Sequence, residues 1–290
     1  MTQSPYELRE HERGIVVLAD NLQVLAALPD ACVDLVYIDP PFNTGKRQQR
    51  ISMRTERAAD GDRTGFKGER YRTVRTGAQS YGDSFDDYLG FLAPRLEHAH
   101  RLLKPTGSLY FHIDYREVHY CKVLLDSIFG RDSFLNEIIW AYDYGARATR
   151  RWPAKHDNIL FYVRDPERYH FDTSEVDRIP YLAPALVGAE KAERGKLPTD
   201  TWWHTIVSPT GKEKLGYPTQ KPIGVVERIV RASCPTGGIA LDFFAGSGTL
   251  GAAALRNGRR FMLVDVLPTA IDVMRTRFAE AEGVRFVDQA

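Results

Sequence analysis

Apolar, β-branched and aromatic residues fall along this chain in short runs: IVVLAD ending at Asp20, DLVYID ending at Asp39, SLYFHID ending at Asp114 and NEIIWAY ending at Tyr142. Four more follow: NILFYV ending at Val163, IALDFF ending at Phe244, RFMLVD ending at Asp265 and VRFVD ending at Asp288. Short runs with so few polar positions read as buried strands of a largely parallel sheet. Between them, DDYLGFLAPRLEHAHRLL, REVHYCKVLLDSIF, VVERIVRA, LGAAALRN and TAIDVMRTRFAEA carry apolar residues at helical spacing. Strand then helix, repeated, predicts an α/β fold.

Two segments break the rhythm. Residues 44 to 80 are rich in Gly, Arg and Thr and poor in large apolar side chains, which predicts a mobile loop insertion. Residues 165 to 218 mix Pro, Tyr, Trp and charge without a period and read as an appended, substrate-facing element. With 43% hydrophobic and 27% charged residues, the 290-residue chain can bury one sizeable core, so residues 1 to 290 are expected to form a single domain carrying these insertions. No apolar stretch approaches the roughly 18 residues of a membrane span, which points to a cytoplasmic protein without membrane association. Cys32, Cys121 and Cys234 are odd in number, far apart and without metal-ligand spacing, so neither a disulfide framework nor a metal site is implied.

A net charge of +1 hides an uneven distribution. From Lys46 to Arg75 ten basic residues stand against four acidic ones. A second cluster, Arg147, Arg150, Arg151 and Lys155, has Trp152 beside it. Such clusters suit phosphates, with the aromatic stacking on a base. A solvated loop is the other reading of a charge run.

The strand DLVYID runs directly into Asp39-Pro40-Pro41-Phe42. Two prolines fix two φ angles and remove two donors, so the turn is stiff, and it stands where open α/β sheets put their ligands. An exocyclic amine on adenine or cytosine is a poor nucleophile because its lone pair is delocalised into the ring. The Asp39 carboxylate and the Pro40 carbonyl are two acceptors suited to its two hydrogens, and they orient the lone pair towards a sulfonium methyl. Charge developing on nitrogen is then stabilised electrostatically. Phe42 supplies a face on which a flipped-out base stacks. The plainer reading is a strand-ending turn with Phe42 in the core.

IALDFF is followed by Ala245-Gly246-Ser247-Gly248-Thr249-Leu250-Gly251 and a helix. Glycines there let backbone approach a ligand, and the helix N-terminus favours an anionic group. The next strand ends in Asp265, a carboxylate suited to ribose hydroxyls. Gly246, Gly248 and Gly251 also satisfy G-x-G-x-x-G, which alone serves a dinucleotide equally well.

Taken together, these residues resemble the β-class amino-methyltransferases of bacterial DNA modification. In that family a D-P-P-[YF] turn precedes the cofactor loop, and the linking region holds the target-recognition segment, here 165 to 218. The chain has Asp39-Pro40-Pro41-Phe42 early, Tyr217-Pro218-Thr219-Gln220-Lys221-Pro222 later, and then Asp242-Phe243-Phe244-Ala245-Gly246-Ser247-Gly248-Thr249. The resemblance implies a Rossmann-like, S-adenosylmethionine-dependent methyltransferase fold with circularly permuted motif order and inserted DNA-facing loops. It implies that Asp39, Pro40, Pro41 and Phe42 form the catalytic turn, and that Phe244, Gly246, Gly248 and Thr249 cradle the cofactor's methionine part. Asp242, Ala245 and Ser247 of the same run count with them. Asp265 is placed at the ribose, Asp20 near the adenine, Lys221 at the methionine carboxylate, and Asp39 also borders the cofactor. Where the family more often has Tyr and Pro, this chain has Phe42 and Phe243.

The implied activity is methylation of an exocyclic amine in double-stranded DNA, with a homodimer and a cognate restriction endonuclease as companions the family admits. Adenine N6 is favoured over cytosine N4, because cytosine members more often have Ser in place of the turn's Asp. An oxidoreductase using the glycine loop for a nicotinamide leaves the Asp39 turn unexplained, and intact Asp39 and Phe42 count against a DNA-binding regulator without turnover. His112 and Asp114 end a strand and either line the pocket or face solvent; Trp202, Trp203 and His204 either wedge into a base stack or pack on the core. His156 and Asp157 either touch DNA backbone or form a strand-start turn.

Overall fold

The computed structural model describes residues 4–43, 85–144, 148–208 and 211–288 throughout, and between them the backbone of strands at 46–57, 63–64 and 70–83. The chain divides into two compact units: Met1–Pro40 with Leu89–Ala290, and Pro41–Tyr88 inserted between. In chain order come β1 (Gly14–Leu18), α1 (Asn21–Ala27), β2 (Val33–Ile38), and, in the inserted unit, β3 (Lys46–Arg57), β4 (Arg63–Thr64) and β5 (Arg70–Asp83). Then follow α2 (Tyr88–Leu102), β6 (Leu103–Ile113), α3 (Val118–Phe129), β7 (Phe134–Ala141), β8 (His156–Val163), α4 (Ala189–Arg194) and β9 (Thr201–Trp203). The last are α5 (Ile223–Ser233), β10 (Ile239–Asp242), α6 (Thr249–Arg256), β11 (Arg260–Asp265), α7 (Pro268–Arg277) and β12 (Val284–Asp288).

In the larger unit nine strands form one sheet in the order β12-β1-β11-β10-β2-β6-β8-β7-β9. The first six are parallel; β8 runs antiparallel to both β6 and β7, and β9 pairs parallel with β7. The N-terminal strand β1 therefore lies between the C-terminal strands β11 and β12, the permuted order that the sequence implies. Leu35, Tyr37, Tyr110, Ile159, Phe161 and Leu263 point to the face covered by α5, α6 and α7. Their alternating neighbours Val36, Ile38, Leu109 and Phe111 are buried too, so by strand alternation the sheet is covered on both faces. Strands buried on two sides are why the runs read as nearly unbroken apolar stretches.

All eight strands expected from those runs are present. The short β9 is not among them: its residues Thr201-Trp202-Trp203 are too few to show a period, yet Trp202 is buried and completes the sheet edge. The rest of 165 to 218 is mostly irregular, with α4 and a bridge between Ile179 and Lys196. Over 44 to 80 the expected loop is corrected. Lys46–Arg57 and Arg70–Asp83 form an antiparallel ladder running from the Lys46 and Asp83 pair to the Arg57 and Tyr71 pair, with β4 added to β5. Ile51, Thr55, Tyr71, Thr73 and Val74 are good strand formers, but Arg and Gln stand among them without apolar alternation, so a search for a buried face finds no signal. No helix among the described residues is long and apolar enough to cross a membrane.

Close approach of β1 to β11 depends on Gly14, where a Cβ would stand 2.2 Å from the Phe261 ring. Gly14→Ala should therefore overpack this contact and cost about 1–3 kcal/mol, read as a lowered urea midpoint with unchanged m-value.

Candidate active site at the carboxyl edge of the sheet

Six parallel strands end at or within two residues of an aspartate: Asp20 after β1, Asp39 after β2, Asp114 after β6, and Asp242, Asp265 and Asp288 at the ends of β10, β11 and β12. The chain leaves β10 towards β11 and leaves β2 towards β6 on the opposite side, so the β10 and β2 pair is the topological switch point of the sheet. In open α/β sheets this point, outside the carboxyl ends of the strands, is where a ligand crevice is expected. Asp39 and the glycine-rich loop both stand at it.

Asp39 is carried by the fully buried β2 and is followed by buried Pro40. Its Oδ2 accepts a 2.6 Å hydrogen bond from Lys221 Nζ, with both side chains largely buried. Its Oδ1 is buried and accepts no hydrogen bond from the described residues. A buried carboxylate oxygen left bare costs about 1–3 kcal/mol or more, and it is an acceptor waiting for a donor. Pro41 and Phe42 belong to the inserted unit. There the Pro41 carbonyl accepts from Tyr88 Oη at 2.6 Å, Asn43 in the left-handed region accepts from the Phe85 amide at 3.1 Å, and Phe42 is half-buried.

Lys221 is positioned by the turn before it. Gln220 donates to the Glu213 carbonyl and accepts from the Leu215 amide, while Glu213 accepts the Ile223 amide at the start of α5. The Lys221 carbonyl in turn accepts from Thr249 Oγ1 at 3.3 Å, which ties this turn to the first residue of α6.

The glycine loop is shaped by the aspartates at its flanks. Asp242 Oδ1 accepts from the Phe244 amide at 2.9 Å. Asp265 Oδ2 accepts from the Gly246 amide at 2.8 Å and its Oδ1 from the Leu267 amide at 2.9 Å. Gly246 and Gly248 have φ of 51° and 74°, the left-handed region open to glycine. A Cβ on Gly246 would meet the Tyr217 ring at 3.1 Å, and one on Gly248 would meet Met274 at 2.8 Å. Ser247 and Thr249 are buried and their hydroxyls lie 3.1 Å apart; Ala245 is buried and its amide donates to the Val264 carbonyl. Asp20 is exposed and caps α1 through the Leu22 amide.

Burial raises Asp242 well above the usual carboxylate range, and the nearby charges of Asp39 and Asp265 push the same way. Burial raises Asp265 too, against three backbone amides that favour its charge. Asp39 and Lys221 thus form an ion pair beside Asp242 and Asp265, on which burial disfavours charge.

Three neighbours were not legible as site residues. Asn21 donates to the Phe243 carbonyl at 2.9 Å and accepts from buried Arg95, whose guanidinium lies 3.9 Å over the Phe91 ring; Phe91 in turn meets Phe244. Arg95, Asn21 and Phe91 therefore brace the loop from behind. Behind Asp39 runs a buried polar chain: Tyr37 Oη lies 2.9 Å from His112 Nδ1, His112 Nε2 lies 3.3 Å from Asp157 Oδ2, and Tyr142 donates to Asp157 Oδ1. Burial works to raise Asp157, but the His112 and Tyr142 hydrogen bonds and the Lys221 charge outweigh it and hold the carboxyl below its usual range. His112 is fully buried, so it supports the edge from within and does not line it. Asp114 is taken up by Arg116 and by the start of α3. Of the tryptophan pair, Trp202 is buried and Trp203 exposed, and the His204 carbonyl accepts from Trp140. The side chains of Lys46 to Arg75, and Arg147, lie outside the described residues.

A family model of DNA methylases, covering N6 and N4 methylation, matches residues 33–275. The chain belongs to this N6/N4 DNA methylase family. Among its relatives are the type II methyltransferase M.HpaI of Haemophilus parainfluenzae, 27% identical over 94% of this chain and 77% of the relative, and the DNA adenine methyltransferase YhdJ of Escherichia coli K12, 27% identical over 88% and 79%. Its fold is similar to that of TTHA0409 of Thermus thermophilus in complex with S-adenosyl-L-methionine, with TM-score 0.58, 22% identity, and 96% and 99% of the two chains covered. It is similar also to the cytosine-N4-specific PvuII DNA methyltransferase, with TM-score 0.62, 16% identity, and 93% and 88% covered.

The raised Asp242 carboxyl has a stability signature. Below the unfolded-state value near pH 4 both states are protonated and nothing is lost. As pH rises towards the elevated folded value, the unfolded chain ionises first and stability falls, by up to about 1.4 kcal/mol per pH unit. Asp242→Asn keeps an oxygen for the Phe244 amide and removes the titration. Urea unfolding of this variant across pH 4 to 8 should show a shallower decline than the parent protein, and parallel profiles would show that Asp242 ionises freely.

Proposed function

We propose that this methylase transfers the methyl group of S-adenosylmethionine to the exocyclic amino nitrogen of a flipped-out base in double-stranded DNA, with adenine N6 as the base atom. The observation that carries the reading is Asp39: a buried carboxylate at the switch point with one oxygen paired to Lys221 and the other without a donor. The bare Oδ1 fits one hydrogen of an exocyclic amine, and the Pro40 carbonyl fits the other. Held by two acceptors, the nitrogen turns its lone pair away from the ring and becomes tetrahedral as the new N–C bond forms. Positive charge on nitrogen then develops against the fixed Asp39 carboxylate, and it is discharged when the nitrogen gives up one of its two protons to water, leaving the neutral N-methyl base. Phe42, three residues after Asp39 in the same turn, is the aromatic we assign to stacking on the base.

The residues present also fit the cofactor. Lys221 and the N-terminus of α6 suit its carboxylate; the left-handed Gly246 and Gly248, with Phe244, Ala245, Ser247 and Thr249, form a cradle without Cβ atoms at its two tightest points. Asp242 shapes this cradle, while Asp265 and exposed Asp20 suit hydroxyl and amino groups. When bound, S-adenosylmethionine supplies an electrophilic sulfonium methyl and leaves as S-adenosylhomocysteine. Lys221, if it also held the cofactor carboxylate, would share its charge between two acids and leave Asp39 more of its own for the amine.

Asp39 supports adenine, because the family's cytosine members more often carry Ser there, and YhdJ is an adenine enzyme. Cytosine N4 is the alternative, since its amine offers the same two hydrogens. The PvuII neighbour is of that kind.

Incubation with unmethylated genomic DNA and methyl-labelled S-adenosylmethionine, followed by nucleoside digestion and mass spectrometry, should yield N6-methyladenine. N4-methylcytosine would keep the mechanism and change the base. Asp39→Ala should lower the rate by at least about 10²–10³-fold while cofactor affinity persists in calorimetry; full activity would refute the assignment. Gly246→Val places a branched side chain at positive φ and against Tyr217, and should abolish cofactor binding in the same titration.

A further inference from the structure

We infer that the segment around Trp152 grips duplex DNA beside the target base, with Trp152 filling the gap in the base stack and Arg150 and Arg151 on the phosphates, an assignment that rests on the methyltransferase reading above. Its place in the fold comes first. The segment links β7 to β8, and β8 begins against the carboxyl end of β6, with Asn158 opposite Ile113. Asp157 there is bonded to His112 and feels the charge of Lys221, the partner of Asp39. The segment therefore rises from the edge that carries the crevice.

Its surface is unusual in kind. Trp152 is 95% exposed, and Tyr144 and Tyr115 are exposed as well. Arg151 Nη2 lies 3.5 Å from Tyr115 Oη, and the Tyr115 ring faces His156 at 6.5 Å. A single exposed apolar residue needs no explanation, but an aromatic group interleaved with Arg150, Arg151 and Lys155, against Asp143 alone among acids in the described part of the link, fits a polyanion with stacking faces. Trp152 also precedes Pro153, which holds it in extended backbone, and 148–156 contains no glycine. The indole is presented stiffly, so little ordering is lost when it meets a ligand. A base turned out of a duplex leaves a hole, and an inserted side chain offsets part of the lost stacking.

The test titrates the full chain with a labelled duplex and with the same duplex carrying a central abasic site. The abasic duplex should bind more tightly, and Trp152→Ala should weaken that binding roughly 5- to 100-fold, while Trp152→Phe and Trp203→Ala keep most of it. Arg150→Gln with Arg151→Gln should weaken both duplexes alike and lower the slope of log affinity against log salt by about two. So exposed a side chain is not needed for folding, so Trp152→Ala should melt as the parent does. Parent-like binding of both duplexes by Trp152→Ala, or an unchanged salt slope in the double arginine variant, would overturn the assignment. Failure of the parent protein to bind or methylate any DNA would instead remove the methyltransferase reading and this one with it.

Discussion

The pairing of β10 with β2, through Ala240 with Leu35 and Leu241 with Val36, is the contact on which the site depends. It sets segments from opposite ends of the chain side by side and makes the connections diverge, one through α6 and the other through the inserted unit and α2. It brings Asp39 next to a glycine loop that follows it by some two hundred residues. The pairing is short, and Asp34 reinforces it: its Oδ2 accepts from the Ile239 amide at the start of β10 and from Lys104 at the start of β6, both at 2.8 Å. One buried carboxylate thus ties three neighbouring strands at the end of the sheet remote from the crevice.

At the crevice end, aspartates serve a different purpose. Asp242 and Asp265 spend oxygens on backbone amides of the glycine loop and the start of α7, and Asp20 caps α1. Each is fixed by the backbone it fixes, which explains how several acids can stand close together in spite of their repulsion. Asp39 differs. It is the one carboxylate among the described residues with a buried oxygen that no donor meets, whereas Asp242 and Asp265 hold a loop.

Much of this was legible in the sequence because strands buried on both faces leave an unmistakable apolar run, and because Asp39-Pro40-Pro41-Phe42 and the glycine loop each occupy contiguous residues at strand ends. What was not legible depends on contacts between distant residues. Arg95 and Asn21 reach Phe243 across the fold, and nothing near Arg95 in the chain distinguishes it from other helix arginines. Lys221 was placed at a cofactor carboxylate by resemblance, while the structure pairs it with Asp39; both fit a cation in an acidic crevice. The strands at 46–57 and 70–83 were missed for a different reason: a ladder rich in Arg and Gln has the backbone bonds of a sheet without the apolar face that advertises one.

The nearly neutral net charge then has a structural meaning. At this edge Asp39 offers a carboxylate while burial disfavours charge on Asp242 and Asp265, so the edge presents hydrogen-bond acceptors more than a strong negative field. Lys221 is largely buried and Arg95 buried, and each is committed to a protein partner, so neither cation is offered at the surface. Arg150 and Arg151 of the β7 to β8 link are exposed. Acceptors and cations are thus set apart along a chain that carries almost no net charge as a whole.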